Sequence, residues 1–258
     1  MLKLFKLLSC VAVFAIWSLP AAALQLDAVL SWAKRVELGT PVKGVITSIS
    51  VRAGDRVKKD TLLLQLDQRG YRARVAALAA RVKNSKAVLQ ESKRELDRAL
   101  ELYDRTVLSD HDLQVAKNDF IAAEADYATA RAELQQARLE LEYSTLRAPF
   151  DALVVARHAE VGQSVVPDLK PAILLVLAGA GRMHAVAWLT APQLAGLKAG
   201  MPAEVNVNKQ KFSGRILEIG LEAKAKGPAE KPYYRLVVAF DTGGSLLRAG
   251  LPAEITLP

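Results

Sequence analysis

One short motif occurs twice in this chain, 108 residues apart, and a long heptad-patterned stretch separates the copies. The first copy reads Pro41-Val42-Lys43-Gly44-Val45-Ile46, followed by Gly54 and Val57. The second reads Pro149-Phe150-Asp151-Ala152-Leu153-Val154, followed by Gly162 and Val165. No gap is needed to align them. Each copy joins apolar, β-branched residues to a glycine turn signal, the pattern of short strands around a bend. Two such segments split by helical sequence predict one small β-domain whose halves meet across a hairpin.

The intervening sequence carries the helical period. Val75, Leu78, Val82, Ser85, Leu89, Ser92, Leu96, Ala99 and Tyr103 alternate by three and four residues, as do Leu113, Ala116, Phe120, Ala123, Tyr127, Ala130, Leu134, Ala137 and Leu141. Each series exceeds three heptads with no Gly or Pro inside it, which predicts a coiled coil. Small residues in the seam let the helices approach closely. Residues 105–109 break the pattern, and Ser109 followed by Asp112 has the spacing of a capping box that opens the second helix. Asp67 is a candidate N-cap for the first. So short a connection makes the helices antiparallel. Charge agrees: Arg72 to Asp104 holds eight Lys/Arg and five Asp/Glu, and Asp110 to Tyr143 holds three and eight. The basic stretch Arg72 to Lys86 would then face Glu133, Glu140 and Glu142.

Residues 1–23 read as a cleaved export signal. Lys3 and Lys6 precede the apolar run Leu7 to Leu19, and Ala21-Ala22-Ala23 supplies small residues for cleavage. Loss of this segment takes the formal charge from +8 to +6 and removes Cys10, the only cysteine. Disulfides, thiolate metal sites and cysteine nucleophiles are thereby excluded from the mature chain. Beyond Pro167 and Pro171, Ile173 to Leu177 is expected to open a second β-rich region. Met183 to Leu189, Ala203 to Val207, Phe212 to Ile219, Tyr233 to Phe240 and Ala253 to Leu257 read as its further strands. A helical turn starts at Thr190-Ala191-Pro192, and the strand count suits a small β-barrel.

These motifs resemble the periplasmic adaptor (membrane fusion protein, HlyD-like) family of tripartite efflux and secretion systems. Gly44-Val45-Ile46 with Val51 to Lys59 is similar to the first lipoyl half-motif of that family. Leu146-Arg147-Ala148-Pro149-Phe150-Asp151 with Val161-Gly162-Gln163 is similar to the second, and Leu247 to Ala253 to the signature closing the family's barrel. Ala152 and Asp60 stand at turn positions where the family usually has glycine. The resemblance implies a mixed α and β, modular and elongated fold. In it a coiled-coil α-hairpin (68–145) is inserted into a lipoyl-like, barrel-sandwich hybrid domain (24–67 and 146–171), followed by a β-barrel (172–258). The chain ends after the barrel signature, so the membrane-proximal domain of many relatives is expected to be lacking.

The resemblance also implies a function without catalysis or cofactor. It is a bridge in the periplasm between an inner-membrane transporter, of the resistance-nodulation-division (RND) or ATP-binding-cassette type, and an outer-membrane channel. A ring of copies, six by analogy, would form the conduit; a scaffold forming no conduit is the alternative. Relatives that dock on TolC-type channels show Arg, Leu and Ser spaced R-x3-L-x6-S around the tip, and Arg98, Leu102 and Ser109 have that spacing. Arg suits carboxylates and carbonyls on a partner helix end, Leu gives apolar contact, and Ser a short hydrogen bond. On the residues alone, Arg98 and Leu102 could equally be helix-surface groups and Ser109 a cap. Other readings are weaker. A lipoyl or biotin carrier displays its lysine at the joint that the hairpin occupies here, and Lys58-Lys59 lies elsewhere. His111, His158 and His184 have no metal-ligand spacing and no catalytic motif accompanies them. The basic first helix has an acidic partner, so nucleic acid is not needed to explain it.

Overall fold

The computed structural model describes residues 24–167, 172–224 and 232–258; the expected export signal lies outside the described residues. The chain divides into two compact units. One is Ala33–Ala180, and the other joins Gly181–Pro258 to the segment ending at Trp32. No helix among the described residues is long and apolar enough to cross a membrane.

The first unit opens with β2 (Arg35–Leu38), β3 (Gly44–Ile49), β4 (Arg56–Val57) and β5 (Leu62–Leu66). Two helices follow, α1 (Arg69–Asp104) and α2 (Asp110–Tyr143). It closes with β6 (Thr145–Arg147), β7 (Ala152–Arg157), β8 (Ser164–Val165) and β9 (Leu175–Gly179). The strands form two four-stranded sheets, β2-β9-β7-β4 and β6-β5-β3-β8.

The repeated motif governs this sandwich, and its two copies exchange strands. β3 pairs with β8, with Gly44 opposite Val165, while β7 pairs with β4, with Ala152 opposite Val57. The turns are exchanged in the same way. The Gly54 amide donates to the Val154 carbonyl and the Gly162 amide to the Ile46 carbonyl, both at 2.8 Å. Val154 N–H reaches Asp55 and Ile46 N–H reaches Gln163, both at 2.9 Å. Each bond maps onto its counterpart by the 108-residue offset, so the halves are related by an approximate two-fold operation. Gly54 and Gly162 hold φ of 98° and 88°, a region open to glycine at no steric cost.

Ala152 proves not to be a turn residue. It opens β7 and buries its methyl in the core. At the equivalent Gly44 an added Cβ would lie 3.3 Å from the Leu66 side chain, which would have to shift by a few tenths of an ångström to admit it. Asp60 does sit in a turn, at φ 65°, a left-handed conformation that Asp tolerates better than most residues.

Both cores of the sandwich draw on both halves. Leu63 packs with Ala148, Ala152, Val154, Leu175 and Leu177, while Ile46, Leu64 and Leu66 pack with Ala159, Val165 and Leu174. Successive side chains of a strand point to opposite faces, so Leu63 enters one cluster while Leu64 and Leu66 enter the other, which accounts for the run of three leucines in β5.

The second unit is a closed six-stranded barrel. In chain order it comprises β1 (Leu24–Trp32), β10 (Arg182–Thr190), β11 (Pro202–Val207), β12 (Gln210–Lys224), β13 (Tyr233–Asp241) and β14 (Pro252–Leu257). A 3-10 turn, Ala191–Leu194, follows the Thr190 cap. The strand expected from Ile173 to Leu177 is not part of the barrel: β9 pairs with β2 and β7 in the sandwich. β1 takes the place instead, between β10 and β14. The burial patterns explain this. Leu26, Ala28 and Leu30 alternate inward, as a barrel strand must, whereas Leu175 to Ala178 are all buried, as in a strand covered on both faces.

In the hairpin every expected seam residue is withdrawn from solvent except Tyr103, whose place is taken by Leu102. At 36 and 34 residues the helices are each a little over 50 Å long, at about 1.5 Å per residue. Their register is visible in two interhelical ion pairs, Arg74–Glu140 at 2.8 Å and Arg81–Glu133 at 2.5 Å. The cap of α1 differs from expectation: Gln68 is the N-cap, and Asp67 accepts the Arg69 amide at 3.0 Å from one residue further back. Hydrogen bonds from the Arg69 side chain, then from its amide, lower the Asp67 pKa to about 2.

A buried polar knot fixes the hairpin to the sandwich. Ser144, fully buried, donates to the Leu141 carbonyl and accepts from Gln68 Nε2, which also donates to Thr145. Thr40 donates to the Tyr143 carbonyl. Ser144→Ala strips the Leu141 carbonyl and Gln68 of a partner and is expected to cost about 1–3 kcal/mol. Urea denaturation checks this against Thr129→Ala, an exposed change expected to stay within about 0.5 kcal/mol.

The hairpin tip as candidate docking site

The tip is built by the way α1 stops. Thr106 N–H donates to the Tyr103 carbonyl at 2.8 Å and Val107 N–H to the Leu102 carbonyl at 3.0 Å, the paired bonds of a Schellman ending. The left-handed position of that motif is usually glycine. Here it is Thr106 at φ 60°, a β-branched residue carrying roughly 1–2 kcal/mol of strain. The turn thrusts Val107 outward, 71% exposed.

α2 starts as the spacing of Ser109 and Asp112 foretells, with one difference. Ser109 Oγ accepts the Asp112 amide at 3.2 Å, but the Asp112 carboxylate takes the Ser109 hydroxyl at 2.7 Å and not its amide. Tyr103, freed from the seam, donates its hydroxyl to Asp110 across the turn at 2.5 Å. That bond and the carboxylate's charge raise the Tyr103 pKa. The last turn of α1 is thus tied to the first turn of α2. Nothing in the heptad count reveals this contact; its only signal is a tyrosine and an aspartate flanking a pattern break.

The three residues selected by spacing fall into two groups. Arg98 and Leu102 lie one helical turn apart and, with Leu108 and Asp112, line an open groove of about 560 Å³ between the helices. Arg98 is exposed and, among the described residues, pairs with Glu95 alone, at 2.9 Å. Ser109 stands beyond the groove at the α2 N-terminus, where its hydroxyl keeps one free acceptor lone pair. His111 and His158 are exposed, and burial lowers the pKa of half-buried His184. Among the described residues no cluster of His, Cys, Asp and Glu could hold a metal ion.

Together these features define a class: a sandwich of two exchanged halves bearing a coiled-coil hairpin, with a separate closed barrel. Residues 34–172, more than half of the 258, match the CzcB-like barrel-sandwich hybrid domain. No curated protein matches the chain in sequence. Among solved structures it is similar to the membrane fusion protein Spr0693 from Streptococcus pneumoniae R6, with a TM-score of 0.72 at 16% identity over 91% of this chain and 98% of that one. A MacA–MexA chimera carrying the Pseudomonas aeruginosa MexA α-hairpin domain gives 0.67 at 21% identity, over 91% and 78%. ZneB from Cupriavidus metallidurans gives 0.53 at 23%, over 91% and 97%. The chain belongs to the family of the CzcB-like barrel-sandwich hybrid domain.

Proposed function

We propose that this chain is the periplasmic adaptor of a tripartite efflux pump. It bridges an inner-membrane transporter, of the RND type, to an outer-membrane channel of the TolC type for export of small molecules. Copies assemble as a ring, six by analogy with the family. The hairpin tip carries this reading: it is a strained, cross-tied turn that offers Arg98, Leu102 and the free lone pair of Ser109 to a partner. An arm over 50 Å long ending in such a turn is suited to reaching a second protein. Channel helix ends present carbonyls and carboxylates, which the guanidinium of Arg98 matches in geometry.

The test is in-cell cross-linking from a photoreactive residue at Val107, with the captured proteins identified by mass spectrometry. An outer-membrane channel captured at the tip is the expected result. Recovery of inner-membrane or soluble periplasmic proteins alone would replace the bridge by a scaffold.

A further inference from the structure

The acids of α2 account for only part of the basic stretch in α1. Arg74 and Arg81 are met by Glu140 and Glu133, which lie on one side of the helix seam. Arg131 and Arg138 lie on the other side, and in the register of the two ion pairs Arg131 is level with Lys83. Lys86 follows one turn, about 4.5 Å, nearer the tip. Lys83, Lys86, Arg131 and Arg138 are all exposed, and none forms an ion pair among the described residues. The guanidinium of Arg131 rests over the Tyr127 ring, 5.6 Å from its centroid.

Like charges thus stand side by side where the other side of the seam pairs opposite ones. Such neighbours on a helical surface are destabilising. No acid relieves them. On this side α2 carries none between Glu124 and Glu142, and α1 carries none from Arg72 to Gln90. Charge is also sorted along the arm. The half next to the sandwich, residues 72–87 and 128–143, holds seven Lys/Arg and three Asp/Glu. The half next to the tip, residues 88–104 and 110–127, holds four and ten. A polyanion is attracted to the first half and repelled by the second, so the sorting sets the height at which it can bind.

We infer that the basal half of the hairpin binds a carboxylate-bearing polyanion, the glycan–peptide polymer of the cell wall. The inference rests on the periplasmic location in the reading above, which puts that polymer beside the arm. The spacing suits a chain and not a single small ion: Arg138 lies about 10 Å below Arg131, and the four cations extend over ~15 Å. Arginine offers carboxylates a planar fork and lysine a mobile point charge, so a flexible polymer is held without a shaped pocket. Bound there, the wall steadies the arm at a fixed height and leaves the tip free.

Sedimentation of the full chain with purified, insoluble cell-wall sacculi tests it. The chain is expected in the pellet and should be released by added salt. Sacculi whose carboxyl groups have been amidated should not retain it. Lys86→Gln with Arg131→Gln should weaken binding about tenfold, the order expected for two exposed ion pairs. Lys86→Arg with Arg131→Lys should keep it. Lys93→Gln with Lys117→Gln removes as much charge from the acidic half and should leave binding unchanged, with circular dichroism confirming that every variant stays helical. Equal loss from the two Gln pairs would mean that net charge alone is read, and would overturn the inference. So would failure of the unmodified chain to sediment, retention by amidated sacculi, or equal capture by vesicles of anionic phospholipid. Any of these leaves the bridge reading standing, because channel capture at the tip is scored separately in cells.

Discussion

Arg98→Asp is expected to abolish channel cross-linking at the hairpin tip while the hairpin stays folded. The folding side is secured by exposure: Arg98 pairs with Glu95, both side chains are at least half exposed, and such pairs contribute about 0–1 kcal/mol. The binding side is larger. Reversing a charge that meets carboxylates in a desolvated contact costs about 2–5 kcal/mol, enough to lose capture. Ser109→Arg is expected to do the same by bulk and charge, but it also removes the α2 cap, worth about 1 kcal/mol. Ser109→Asp separates the two effects, because Asp caps as well as Ser while adding a charge at the contact. Cross-link yield and a thermal melt, measured on the same three variants, check the prediction. Full capture by Arg98→Asp would dismiss the tip residues as a docking site.

Leu63→Ala is expected to cost about 2–5 kcal/mol, the range for a buried leucine truncated in a core that cannot collapse. Leu63 is fully buried, and its cluster is supplied mostly by the second half of the sandwich: Ala148, Ala152, Val154, Leu175 and Leu177. Its loss therefore strikes the seam between halves that α1 and α2 separate in sequence. Leu246→Ala, at a residue 57% exposed, should stay within about 0.5 kcal/mol. Chemical denaturation of both variants decides the matter; equal small losses would mean the halves are not held together by this core.

What the sequence discloses follows from which forces are local. Heptad spacing locates the seam residue by residue because a helix face depends on neighbours three and four away. It misassigns only Tyr103, where the helix is already ending and Leu102 turns inward a residue early. The repeat announces two like halves, but the exchange of β4 and β8 is a matter of register between distant strands, which no short pattern contains. β9 shows the same limit. Its apolar run reads as a strand, and only its burial on both faces places it in the sandwich. At the tip, spacing singles out Arg98, Leu102 and Ser109. The Tyr103–Asp110 bond and the left-handed Thr106 remain hidden, since each depends on the turn already being formed.

The placement of β1 governs the order in which the chain can fold. The hairpin lies inside the sandwich sequence, and the sandwich sequence lies inside that of the barrel, between β1 and β10. Helical contacts between near neighbours form fast, and pairings across long loops form late. Folding should therefore run from the middle of the chain outward: hairpin, then sandwich, then barrel. β1, the first of these strands to leave the ribosome or a translocon, is the one that waits longest for its partners. Until β10 and β14 arrive it has two unpaired edges and a row of inward apolar residues, a hazard for aggregation. The barrel strand at the start of the chain is thus where the nascent protein most needs a chaperone.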